Sequence, residues 1–487
     1  MASNDPIRIG KALIDKYKPK EVLPEYTKVP QASGALEMVI QDVMKFMIYP
    51  SYEMATAVAM HCISTFGGGM YHLDRRTCCR KRTILAPTGR GKSIANKYFS
   101  ELVRVLALKN NMFDPYKFSG ASHYAVNNIH LELVEHRCRS YITNEAGILG
   151  KSRAGTTHEI RAYFLNVIAG DYNEGFDGRK LSVRNPENKA INDALRTAYS
   201  IIPVLLSESV PDQYIDVLNS SDAFRSGDVG REEMFFIDPI KKKTMDERQP
   251  INPDVVTMMF SLARHFEESG STRGDNPSNP ESFIAVDYSE IKDDLHNLRI
   301  KCVEEENHAS YNRNYVEIAV TSRFYEKVLT TILVQSIADA GAKGKHSDIP
   351  VPIATKGHFD YAVDYHNALK KSLISQTSGS GLLSDPFNQC ISRIIQQGKE
   401  FGQRARDSRG AYDVKNKIIR RAWITTVLDP TKFRPIKDLL AMRNNNRTAV
   451  FKELIETLEE DCIIIPVGVD DCGMWGGQKI RHWRINV

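Results

Sequence analysis

Long apolar runs are missing from this 487-residue chain, and none approaches the roughly 18 residues that a membrane-spanning helix needs. The first twenty residues are polar and lack the apolar core of a signal peptide, so the expected location is the cytoplasm, with no membrane partner. Cysteine is sparse. The eight at 62, 78, 79, 138, 302, 390, 462 and 472 show no zinc-knuckle spacing, and reduced thiols are the expected state. No internal repeat or heptad array is present, which excludes solenoids and long coiled coils. A strong charge of either sign is also absent, because 65 basic residues stand against 60 acidic ones.

What excess there is has an address. Arg404 to Val487 holds 16 Lys plus Arg against 11 Asp plus Glu, while the first 403 residues balance at 49 each. A basic terminal module points to an acidic polymer, nucleic acid first.

The length corresponds to two to four domains at about 150 residues each. Residues 1–34, with four prolines and several lysines, read as an arm that is loose or docks elsewhere. Residues 35–80 read as a helical collar. Leu36, Val39, Ile40, Val43, Met44 and Met47 recur at helical spacing, Pro50 stops the helix, and an Ala/Met-rich helix follows from Tyr52 to Thr65. Strands at 81–85, 140–143 and 201–206 alternate with helices at 94–108 and 157–168, which predicts an α/β core over residues 81–250. Residues 251–378 read as a helical extension, including helices near 289–307 and 322–340. Residues 387–487 form the last module.

The strongest motif is Ala86-Pro87-Thr88-Gly89-Arg90-Gly91-Lys92-Ser93, followed by Ile94. It matches the Walker A pattern except for Ala86 in place of the first Gly. Gly89 and Gly91 let backbone N–H groups curl round a phosphate. Lys92 reaches β- and γ-phosphates, and Ser93 offers a hydroxyl to Mg²⁺ at the start of a helix, whose dipole favours anions. A glycine-rich surface turn with an incidental lysine would match too. The strand before the motif and the helix after it favour the phosphate loop. The implied cofactors are ATP and Mg²⁺.

Such an enzyme needs an acid at a second strand end. Ser140 to Glu145 supplies one, with Glu145 placed to polarise the attacking water and Asn144 placed at the metal. Asn144 carries no charge, so weaker metal binding is expected; a cap on a turn before Gly147 is the alternative for the pair, and the strand and acid following a good phosphate loop favour the functional role. Ser207, with Ser209 behind it, is the expected γ-phosphate sensor. Arg231, then Arg225, is the expected arginine finger reaching a neighbour's nucleotide. A surface ion pair with Glu232 or Glu233 is the alternative for Arg231.

These residues resemble the phage- and prophage-type P-loop ATPases whose domain is associated with primase–helicases, similar in layout to superfamily 3 and other AAA+ replicative helicases. The resemblance runs through the helical pair before Walker A, Phe118 to Ala125, Tyr141 to Gly147, Ala169-Gly170-Asp171-Tyr172, and the Gly230-Arg231 element. It implies a P-loop NTPase core with an N-terminal helical collar and a C-terminal winged helix. It also implies a hexameric ring on single-stranded DNA; the chain shows no evident primase site, so priming is expected from a separate protein. Departures from its pattern are Ala86 and Asn144.

Two nucleic-acid contacts are expected. Arg179, Lys180 and Arg184 follow the hairpin signal Asp177-Gly178 and would line a channel; a solvated basic loop is the alternative. In the last module, helices at 415–427, 436–442 and 445–459 precede strands at 462–467 and 480–485. The third helix would present Arg447 and Lys452, with Asn444 and Thr448, to phosphates or base edges. Packing against a partner protein is the alternative. The expected activity is an ATP-dependent helicase or translocase; an ATP-dependent DNA-binding initiator or switch, or a defence-related assembly ATPase, are the other readings.

Overall fold

The computed structural model describes residues 25–89, 91–111, 113–120, 126–143, 156–171, 174–176, 198–199, 201–211, 213–215, 229–239, 249–268, 283–311, 315–345, 348–378, 390–391, 393–394, 397–398, 411–413, 418–431, 436–437, 439–440, 446–460, 464–467 and 482–485. The chain is mixed α/β and mostly helical. Two compact units divide it: one is Pro24–Gln376, and the other holds Thr377–Val487.

In the first unit four strands make a parallel sheet: β1 (Lys81–Leu85), β2 (Cys138–Thr143), β3 (Ile202–Ser209) and β4 (Glu232–Phe236). Their order is β2-β3-β1-β4. Register pairs Leu85 with Ser209 on one side and Phe236 on the other, and Thr143 with Ser207. β3 is buried at all eight positions, as expected for a central parallel strand covered on both faces. Thr27 adds to β4, exchanging bonds with Phe236 through its N–H and its hydroxyl. Ser119 bridges to Ser140 on β2, and Gly120 N–H donates to the Ser140 carbonyl.

Helices pack on this sheet for reasons visible in their side chains. α1 (Gly34–Phe46) buries one stripe, Leu36, Val39, Ile40 and Val43. In α2 (Tyr52–Gly67) every residue from Met54 onward is buried, because small and flexible side chains surround it. Its polar groups bond locally: Thr56 donates to Tyr52 O, Thr65 donates to His61 O, and His61 Nε2 meets Ser140 Oγ at 2.6 Å. α3 (Ile94–Lys109) follows β1. Its Tyr98 donates to Asp42 on α1 (2.6 Å), and Asp42 also accepts from Asn252 N–H (2.9 Å). These bonds fix α3 relative to α1 and to α6 (Pro253–Phe266), after α4 (Val126–Glu135) and α5 (Thr156–Ala169).

α7 (Lys292–Tyr311), α8 (Tyr315–Thr321), α9 (Phe324–Lys343) and α10 (Lys356–Ser378) complete the unit. A buried polar layer joins α9 and α10 to the sheet. Arg82 and Glu233 pair at 3.0 Å with no exposure, Tyr365 donates to Glu233, and Lys327 donates to the Glu232 carbonyl (2.7 Å). Burial pulls the Lys327 ammonium down to about 8.

The second unit carries an antiparallel sheet of β5 (Ala411–Asp413), β6 (Ile418–Arg420), β7 (Ile464–Val467) and β8 (His482–Ile485), in the order β7-β8-β6-β5. α11 (Arg421–Val427) and α12 (Arg447–Glu460) accompany it. The helix expected from residue 415 starts only at Arg421. Ile418 to Arg420 are instead a strand paired with Arg484 to His482, since β-branched residues with an available partner strand favour the ladder. No described helix is long and apolar enough to cross a membrane.

Candidate functional site

The loop from Ala86 to Ser93 leaves the carboxyl end of β1, which lies between β3 on one side and β4 on the other. Crevices at such points bind ligands in open parallel sheets. Ala86 N–H donates to Ser209 O (3.1 Å) and Ile237 N–H donates to Leu85 O (2.9 Å), so both neighbouring strands hold the loop's root. Gly89 and Gly91 have φ of 81° and 72°, the left-handed region that side chains resist. Conformation is what requires glycine at Gly89, where a methyl group would meet nothing; at Gly91 one would stand 3.4 Å from Tyr49 Cδ2. Ser93 is the N-cap of α3, yet its hydroxyl makes no capping hydrogen bond.

A cavity of about 550 Å³ opens over this loop. Thr88, Gly89, Gly91, Lys92, Ser93 and Ile94 line it, so the described members of the motif converge there, apart from Ala86 and Pro87. Arg90 lies outside the described residues. Met47, Ile48 and Tyr49, at the end of α1, form a second wall, one with an apolar and aromatic surface. Lys97, Glu208, Ser209, Val210 and Gln213 complete the lining.

Glu208 had no assigned role in the sequence. It pairs in register with Ile84 on β1. Its residue exposure is 5%, and its Oε1 atom is buried without a hydrogen-bond partner. Burial pushes its carboxyl up to about 7, opposed by the charges of Lys92 and Lys97. A charged residue one step from the end of an apolar central strand was the available signal. A hydroxyl at Ser93 and a carboxylate at Glu208 are hard oxygen donors, the chemistry that Mg²⁺ takes.

Other expected residues separate from this cavity. Ser207 is buried within the sheet, between Thr83 and Thr143, and does not line the cavity; strand alternation puts it on the face opposite Glu208. Ser209, the second choice, does line it. Arg231 ends a short turn (Val229–Arg231) before β4, level with the amino end of β1. It is therefore about 20 Å along the strands from its own loop, at ~3.3 Å per residue. Asn144 and Glu145 lie outside the described residues, as do Arg179, Lys180, Arg184 and Arg225. The strand that leads to Asn144 ends at Thr143, beside Ser207. Gly175–Phe176 pairs antiparallel with Ala198–Tyr199, on either side of the basic segment.

On α12, Val450, Phe451, Leu454 and Leu458 are buried, while Arg447 and Lys452 are exposed. The Arg447 guanidinium lies over the Phe451 ring (5.6 Å), and Lys452 stands 3.7 Å from Glu456. Asn446 caps the helix through Ala449 N–H (3.1 Å). Asn444 lies outside the described residues. Among the described residues no cluster of three or more His, Cys, Asp or Glu is arranged to hold a metal, and the six described cysteines are free.

No known family model matches the chain, and no curated protein matches it significantly.

Proposed function

We propose that the chain is an ATP-hydrolysing motor of the AAA+ helicase class, acting as a ring on single-stranded DNA in the replication of a phage or other mobile element. The observation that carries the nucleotide part is the glycine loop at the carboxyl end of β1. Two left-handed glycines, Lys92 and the start of α3 converge there on one cavity. Backbone N–H groups and Lys92 hold the phosphates, and the dipole of α3 adds to that attraction. The apolar wall of Met47 to Tyr49 is suited to the nucleoside. Ser93 and Asn144 hold Mg²⁺, which when bound offsets phosphate charge. Glu145 orients the attacking water and takes its proton. Arg231, remote from its own loop, reaches the nucleotide of a neighbouring subunit.

DNA is gripped in a channel by Arg179, Lys180 and Arg184. The basic C-terminal module, read as a winged helix, adds Arg447 and Lys452. The helicase part rests on the resemblance and on the local charge excess.

Strand separation on a forked duplex with ATP is the test. Wild type unwinds, and Lys92→Ala abolishes both hydrolysis and unwinding. Mixing Arg231→Ala with Lys92→Ala protein restores part of the ATPase if subunits share sites. Binding of ATP and DNA without unwinding or translocation would replace the motor with an ATP-dependent DNA-binding switch.

A further inference from the structure

Glu208 is a charged group whose surroundings do not explain its retention. It lies 95% buried near the end of the central strand β3, and its Oε1 atom has no hydrogen-bond partner. A buried carboxylate left in that state is costly unless a counter-charge reaches it. Lys92 and Lys97 supply part of one. Lys92, however, is the side chain that phosphates would claim.

A nucleoside triphosphate entering the cavity would bring several negative charges beside this carboxylate. The two repel unless a cation stands between them. Mg²⁺ commonly uses one or two protein carboxylates together with substrate phosphates, and it keeps several waters. Ser93 lines the same cavity, with a hydroxyl that does not cap its own helix. Asn144, at the place where the resembling ATPases carry an acidic ligand, is uncharged.

We infer that Glu208 supplies the carboxylate of the Mg²⁺ site, acting with the Ser93 hydroxyl on the ion or on a water that it holds. The inference rests on the nucleotide-binding reading above. It moves the charged ligand from the end of β2 to the neighbouring strand β3. It also explains why an amide is tolerated at residue 144.

The test uses the full chain, Mn²⁺ as the probe, and a non-hydrolysable ATP analogue. Free Mn²⁺ is read by electron paramagnetic resonance, and analogue affinity is measured separately in chelator. Glu208→Gln is expected to weaken Mn²⁺ in the ternary complex by about tenfold or more. The same variant is expected to bind the analogue as tightly as wild type, or more tightly, when metal is removed, because the repulsion has gone. A merely structural defect would weaken both. Glu208→Asp keeps the charge and gives an intermediate Mn²⁺ affinity, which covers the case of a poorly folding Gln variant. Equal Mn²⁺ affinity in wild type and Glu208→Gln, with the analogue still bound, overturns the assignment and leaves the nucleotide site standing. Failure of wild type to bind the analogue with or without metal overturns the site, and the assignment with it.

Discussion

Glu208 differs from its neighbours Ser207 and Ser209 by which way the strand turns it. Alternation along β3 sends the two serines to one face and the carboxylate to the other. Its carboxyl is pushed from the ordinary 4.5 up to about 7 by burial, against the pull of Lys92 and Lys97. The sign of the pH effect follows. Below about pH 4.5 the group is neutral in folded and unfolded chains alike. From there to about 7 the unfolded chain releases its proton first, so folding stability falls across that window. Glu208→Gln escapes this cost. Without nucleotide or metal, it should be more stable than wild type at pH 8, by up to about 3 kcal/mol. The difference should close as the pH falls to 4.5, read by urea denaturation at several pH values. Gly89 and Gly91 were legible in the sequence because a left-handed backbone leaves a residue type behind. Glu208 was not, because its face depends on register, and single-strand patterning through Ser207-Glu208-Ser209 carries no apolar partner to set the phase.

Strands and helices were legible where periodicity was strong. α1, α2, α3 and α5 lie within a residue or two of their expected bounds, and β2 and β3 extend theirs. The order β2-β3-β1-β4 was not legible, since pairing across more than 60 residues leaves no local pattern. Nor was the buried pair that joins β1 to β4. Arg82 and Glu233 read as ordinary charges in the sequence, and both are wholly buried. Glu233→Ala would leave the Arg82 guanidinium enclosed without its counter-charge. The expected loss is about 3–5 kcal/mol, measured by denaturant unfolding. In the second unit, the helix anticipated from residue 415 gave way to β6 because β8 offers it a ladder. The exposed face of α12 allows a separate check. Arg447→Ala with Lys452→Ala should weaken DNA binding and lower the salt slope by about one per residue, read by titration at several salt concentrations.

Across the molecule, neutral histidines are built into the packing of the larger unit. His61 on α2, His136 before β2 and His366 on α10 are buried, and burial holds each imidazole down to about 3. The unfolded chain takes up protons near pH 6.5 that the folded chain refuses. Stability is therefore lost as pH falls from about 6.5 toward 3, at up to about 1.4 kcal/mol per pH unit for each histidine. Three acting together exhaust a typical stability of about 5–15 kcal/mol within a few pH units. Cooperative acid unfolding near pH 4, followed by circular dichroism, is the expected outcome. The Glu208 effect runs the other way and is smaller. Replacing His366, which meets Thr331 at 2.8 Å, with Gln should shift the midpoint to lower pH.

The main sheet has a strand at each side with backbone groups that a second chain could pair with. Here the molecule covers described parts of both sides itself: Thr27 takes up the Phe236 amide and carbonyl beside β4, and Gly120 takes up the Ser140 carbonyl beside β2. Backbone already engaged within a chain offers less of a template for strand addition, the usual route from an open edge to aggregation or exchanged strands. Copies of this protein that meet at those places would have to recognise one another through side chains. Any assembly built there can then be tuned, or broken, by single substitutions on the surface.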